Sequence, residues 1–122
     1  MNWPATDQCR LIAKIGQAAL GIYYDLGNAT SHGYNLSTDI RKIGQFLVGV
    51  HIKDRKTGGG SVLLGEGDTD FIGGFQALTE IGYEGPFILE APRGIDPVDT
   101  ARKHLDFVKR KMAQVAAEKG RK

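Results

Sequence analysis

The stretch Val48-Gly49-Val50-His51-Ile52-Lys53-Asp54-Arg55 decides the fold of this chain. An apolar run from Phe46 to Val50 leads into His51, and polar residues and a glycine cluster follow at once. That pattern predicts a buried strand ending in a loop. A histidine at the carboxyl end of such a strand stands where α/β sheets and barrels place their chemistry. Two other strand-like runs end in the same manner: Gly21-Ile22-Tyr23-Tyr24 in Asp25, and Pro86-Phe87-Ile88-Leu89 in Glu90. Helical patterns separate the three runs, so parallel strands would bring Asp25, His51 and Glu90 to one edge. An imidazole between two carboxylates suits a divalent metal ion.

Working outward, Thr6 or Asp7 is a candidate cap for a first helix, with Leu11, Ile12 and Ile15 on its apolar face and Gly16 as its stop. The first strand is expected over 20–25, followed by a loop over 26–35. Ser37 and Thr38 are candidate caps for a short helix reaching Gln45, with Ile40 and Ile43 inside. The second strand spans 46–52, and 53–69 reads as a long loop holding Gly58-Gly59-Gly60 and Gly65-Glu66-Gly67. Phe71, Phe75, Leu78 and Ile81 form the stripe of a third helix. The third strand covers 87–90. Asp96 and Pro97 open a last helix with Val98, Ala101, Leu105, Val108, Met112 and Val115 as its apolar face. The alternation implies an α/β fold with a parallel three-stranded βα repeat.

The 122 residues suffice for one domain with a real core, and 41% hydrophobic and 25% charged residues are ordinary for a soluble protein. No apolar run spans a membrane. The N-terminal residues lack the basic-then-apolar pattern of a secretory signal, and Cys9 is the only cysteine, so the expected setting is a reducing cytoplasm. The net charge of +2 is uneven. Residues 101–122 carry eight Lys/Arg against two Asp/Glu, and the preceding hundred carry eight against twelve. We read the basic helical tail, about 112–122, as the solvated face of the last helix. It has no aromatic residues after Phe107 for base stacking, so no nucleic acid partner is expected.

Each candidate has a plainer reading beside it. Asp25 is a metal ligand or a carboxylate capping loop amides. His51 is a ligand or a structural histidine. Glu90 closes a strand of Phe, Ile and Leu that should be covered on both faces, which leaves little room for a surface salt bridge. It is the candidate base as well as a ligand. Lys53 and Arg55 either hold a substrate oxygen or form a surface charge cluster with Asp54. Gly65-Glu66-Gly67-Asp68 lacks the Lys-Ser/Thr ending of a P-loop and reads as a flexible lid, with Glu66 facing substrate. His32, in the first loop, is a candidate substrate contact or a solvated loop histidine, the reading we favour, and Asn28, in the segment after Asp25, is a candidate substrate contact. His104, inside the last helix, is set aside.

Tyr24-Asp25-Leu26-Gly27-Asn28, His51-Ile52-Lys53-Asp54, Leu64-Gly65-Glu66-Gly67 with Asp70-Phe71, and Gly82-Tyr83-Glu84-Gly85-Pro86-Phe87-Ile88-Leu89-Glu90 together resemble the sugar-phosphate isomerase/epimerase family of xylose isomerase-like TIM barrels. Hexulose-6-phosphate isomerase, ribulose-phosphate 3-epimerase and tagatose 3-epimerase types belong to it. The resemblance runs from the first helix to the last and implies that the three strands are the last three of a (β/α)8 barrel, a truncated half-barrel. It implies that Asp25, His51 and Glu90 match three of four ligands to Mn, Zn, Co or Mg. It also implies isomerisation or epimerisation of a keto-sugar or sugar phosphate through an enediolate, with Glu90 as one of two acid/base groups. The family's other such group is a glutamate on strand five, ahead of the helix that opens this chain. Met1 to Ala5 offers no strand and no glutamate, and Arg55 matches the family's substrate-binding arginine only loosely. Two other readings stay open. One is a non-catalytic half-barrel that folds by self-association; the other is an apurinic-endonuclease-like zinc enzyme. Three strands leave two unpaired edges and an uncovered inner face, so a homodimer is expected.

Overall fold

The computed structural model describes residues 3–16 and 19–120. Met1, Asn2, Gln17, Ala18 and the tail residues Arg121 and Lys122 lie outside the described residues. The expected alternation is present. Helix α1 (Ala5–Ile15) leads to strand β1 (Ile22–Asp25), and helices α2 (Leu26–Ser31) and α3 (Leu36–Ile43) follow. A single 3-10 turn, Gly44–Phe46, then enters β2 (Leu47–Ile52). After a short hairpin, β3 (Asp54–Arg55) with β4 (Ser61–Val62), come α4 (Phe71–Glu80), β5 (Phe87–Leu89) and α5 (Pro97–Gly120). The main sheet has the order β1-β2-β5, all parallel.

One face of this sheet carries the core. Ile22 and Tyr24 of β1 and Leu47, Val50 and Ile52 of β2 are buried there, together with Leu26, Ile40, Ile43, Phe71, Phe75 and Leu78. The helices lie side by side, α1 against α3, α3 against α4 and α4 against α5. The opposite face holds the alternate residues. Tyr23, Val48 and Ile88 there are 44% to 54% exposed. A sheet covered by helices on one face alone, with residues of the other pointing inward, is the construction of a barrel wall.

Five sequence expectations change. The segment 26–35 is not simply a loop, because Asp25 caps α2: its Oδ1 accepts the Asn28 N–H at 2.8 Å. The glycine and asparagine content hid this turn, which Leu26 and Ala29 anchor in the core. Asn35, rather than Ser37 or Thr38, caps α3 by accepting the Thr38 N–H, and α1 starts at Ala5 with no side-chain cap. The long loop 53–69 contains the β3–β4 hairpin. In α5 the buried positions are His104, Val108 and Val115, with Phe107 and Met112 half-buried, whereas Val98, Ala101 and Leu105 are exposed. The buried face at the start of that helix is therefore set by His104 and Phe107, residues that an apolar count at three-four spacing passes over. No helix among the described residues is long and apolar enough to cross a membrane.

Candidate metal and substrate site

The ladder register builds the site. Asp25 and His51 are Cα partners in the β1–β2 pair, and His51 pairs with Ile88 across β2–β5. The Glu90 N–H donates to the Ile52 carbonyl at 3.0 Å, carrying the ladder past the end of β5. Glu90 is two residues beyond Ile88, so its side chain returns to the His51 face. The result is three side chains from three adjacent strands on one edge. His51 Nδ1 lies 3.2 Å from Glu90 Oε2 and 3.6 Å from Asp25 Oδ2. One donor atom from each of the three lies within 4.8 Å of the others. Nitrogen plus carboxylate oxygen is a donor set that fits Mn, Zn or Co, and Asp25 is already oriented by the amide that its other oxygen accepts.

Two close approaches hold the first layer in place. Tyr23 packs against His51 with its ring tilted by 40° and centroids 4.3 Å apart, and its ring passes over Gly49, where a Cβ would come within 2.6 Å of it. Lys53 crosses Gly27 in the same way. A Cβ on Gly27 would stand 2.7 Å from Lys53 Cγ and 2.9 Å from the Lys53 carbonyl carbon. That passage brings the Lys53 ammonium to 3.2 Å from Glu90 Oε1 and 3.9 Å from Asp25 Oδ2. Lys53 thus lies at the site, among the same carboxylates.

The triad opens into a cleft of about 320 Å³. Asn28 and His32 line it, with His32 stacked on Tyr34. Trp3, Gln8, Tyr24 and Asp39 line it too, and no motif marked them. The Tyr24 hydroxyl donates to Asp39 Oδ2 at 2.8 Å. Burial, and then the Asp39 carboxylate, push the Tyr24 phenol well above its ordinary range, so it remains a donor. Burial also raises the Asp39 carboxyl, with the Tyr24 hydrogen bond acting against it.

Arg55 and Glu66 depart from expectation. Arg55 is half-buried and directs its guanidinium to the Gly59 carbonyl and to Asn28 Oδ1 instead of into the cleft. Glu66 is exposed and is not among the residues that line the cleft. Its loop is pinned, not a free lid. The Asp54 carboxylate, 1% exposed, accepts the N–H groups of Gly65, Gly67 and Thr69 at 2.9, 3.0 and 3.1 Å. Asp54 is therefore no member of a surface charge cluster. A carboxylate ahead of a glycine-rich run with free N–H groups was the signal for it. His104 is buried and accepts the Leu64 N–H on Nε2 at 3.3 Å.

A family model described as xylose isomerase-like TIM barrel matches residues 5–111. Among curated proteins, L-ribulose-5-phosphate 3-epimerase UlaE of Escherichia coli is 33% identical over 96 residues, 76% of this chain and 34% of the relative. The chain thus spans about a third of the length of the curated relatives it matches. Among solved structures, a xylose isomerase domain protein from Planctomyces limnophilus superposes with a TM-score of 0.80 at 25% identity, covering 95% of this chain and 46% of that one. An L-ribulose 3-epimerase superposes with a TM-score of 0.81 at 19% identity, covering 95% and 44%. D-allulose 3-epimerase from Methylomonas sp., in complex with D-allulose, gives 0.75 at 22% identity, covering 91% and 43%.

Proposed function

Since this chain belongs to the xylose isomerase-like TIM barrel family, we propose that it carries the site of a divalent-metal-dependent isomerase or epimerase. The substrate class is a keto-sugar or its phosphate, and the reaction passes through an enediolate. The observation that carries this reading is the convergence of Asp25, His51 and Glu90 at the carboxyl edge of the sheet. These three residues would hold the ion. When bound, a divalent cation supplies Lewis-acid stabilisation of negative charge developing on a substrate oxygen.

The chain's own residues account for the rest. Glu90 takes the proton from the carbon beside the carbonyl, the C–H electron pair moves into the enediolate, and the same proton or one from solvent returns to that carbon. Half-exposed Glu90 can accept a proton from a ligand in the cleft, and the Lys53 ammonium on its Oε1 keeps Oε2 turned toward His51. Lys53 also offers an N–H to a substrate oxygen. Asn28 and His32 bind hydroxyl groups along the cleft wall. Glu90 works from one face of the substrate, so proton exchange should outpace epimerisation. The uncovered sheet face, with β1 and β5 each paired on one side only, is covered in this reading by a second copy of the chain.

The test uses D-allulose and L-ribulose 5-phosphate in D2O with Mn2+. Deuterium entry at the carbon beside the carbonyl, followed by NMR and abolished in Glu90→Gln, is the expected result. Epimer should accumulate more slowly than deuterium. No exchange from either sugar would favour a non-catalytic module.

A further inference from the structure

Among the described residues, Arg55 makes three hydrogen bonds, none of them into the cleft. Nε and NH2 donate to the Gly59 carbonyl at 2.9 and 2.7 Å, and NH1 donates to Asn28 Oδ1 at 2.9 Å. The glycine turn is also tied to α2 directly. The Gly58 N–H donates to the Ser31 carbonyl at 2.8 Å, and the Ser31 hydroxyl donates to the Gly59 carbonyl at 3.1 Å. The tip of the β3–β4 hairpin is thus clamped on the helix that Asp25 caps, and Arg55 is the bolt.

This clamp has a chemical consequence. A guanidinium only donates, so the atom of Asn28 that faces it must be the carbonyl oxygen. The amide nitrogen, with two N–H donors, is then the end left for the cleft that Asn28 lines beside Asp25 and His51. An asparagine without such a partner can turn either end to a ligand.

We propose that Arg55 is a positioning residue that fixes the side-chain amide of Asn28 as a hydrogen-bond donor, so that Asn28 selects a ligand oxygen with a free lone pair next to the triad. The proposal rests on the keto-sugar reading above. It assigns Arg55 no contact with substrate.

The experiment compares wild type with Asn28→Asp, Arg55→Met and Arg55→Lys. Trp3, the only tryptophan, lines the cleft, so its fluorescence reports binding of D-allulose or L-ribulose 5-phosphate. Asn28→Asp retains the partner of Arg55 but presents no N–H. Arg55→Met releases the amide. Both should weaken sugar binding about tenfold, the ordinary scale of one lost hydrogen bond. Arg55→Lys, which can still donate to Oδ1, should recover part of the loss. Mn2+ affinity should stay within about twofold in Arg55→Met and Arg55→Lys, because the Asn28 backbone amide still orients Asp25. A parallel fall in Mn2+ affinity would mean that the clamp merely supports the fold, and would overturn the proposal. So would normal sugar affinity in Arg55→Met. If wild type binds Mn2+ but neither sugar, the substrate reading fails, and side-chain NMR still decides the clamp. One fixed Asn28 χ2 orientation in wild type and averaging in Arg55→Met is the expected outcome. Averaging in both proteins would overturn it.

Discussion

Asp25 Oδ2 stands 3.6 Å from His51 Nδ1, and the two residues are direct partners in the β1–β2 ladder. The carboxylate divides its work. Oδ1 accepts the Asn28 N–H and starts α2, while Oδ2 faces the imidazole. The two readings of Asp25 offered by the sequence, amide cap and candidate ligand, are therefore compatible in one side chain. The cap fixes the rotamer, and the rotamer aims Oδ2 at His51 and Lys53.

Asp54 is the expected weak point of the fold. Its carboxylate satisfies three backbone amides in the loop after β4, and Asp54→Ala leaves them without that acceptor. Urea unfolding should register a loss of about 3 kcal/mol. Asp54→Asn should not rescue it if the new NH2 group takes the place of Oδ2, which accepts from both Gly65 and Gly67. A loss under about 1 kcal/mol for both variants would mean that the loop finds other partners.

His104 should make stability depend on acid. Burial lowers its folded pKa below the ordinary 6.5, and Nε2 must stay unprotonated to accept the Leu64 N–H. Between the two values the unfolded chain binds the extra proton. The contribution is thus complete above about 6.5 and is lost as pH falls from there through the folded value. The urea midpoint of wild type should drop between pH 7.5 and pH 5 by more than that of His104→Gln. Parallel curves would remove His104 from the account.

The open face of the sheet should drive self-association. Tyr23, Val48 and Ile88 leave apolar surface in water, at a cost of roughly 25 cal/mol per Å². Light scattering after size exclusion at micromolar concentration should give a dimer. Val48→Lys should shift it toward monomer, since Val48 lies 54% exposed and does not line the cleft. A cooperatively folding monomer would show that the chain tolerates this face uncovered.

The three parallel strands and the triad were legible because both signals are local. Each of those strands is an apolar run, and Asp25, His51 and Glu90 are each the first carboxylate or imidazole at a strand's end, whereas the β3–β4 hairpin, with no apolar run, was not legible. The chain places 25, 51 and 90 far apart, but parallel pairing needs only the order of elements to align their carboxyl ends. What escaped was set by contacts across the fold. Helix α2 depends on a cap that looks like loop chemistry. The burial of Asp54 and His104 follows from one loop, 63–69, which uses both as hydrogen-bond acceptors. Arg55 was misdirected because its distance from His51 along the chain fitted a substrate contact, whereas the β3–β4 turn carries its guanidinium to Gly59 and Asn28.

The most direct measurement is Mn2+ titration, by calorimetry or by the signal of the free ion, of wild type against His51→Ala. His51 supplies the only nitrogen of the three-residue cluster, and its removal leaves two carboxylates facing each other without it. One ion per chain in wild type and a loss of affinity of tenfold or more (about 1.4 kcal/mol) in the variant is the expected result. Equal binding by the two proteins would contradict the metal site and, with it, the functional reading built on Asp25, His51 and Glu90.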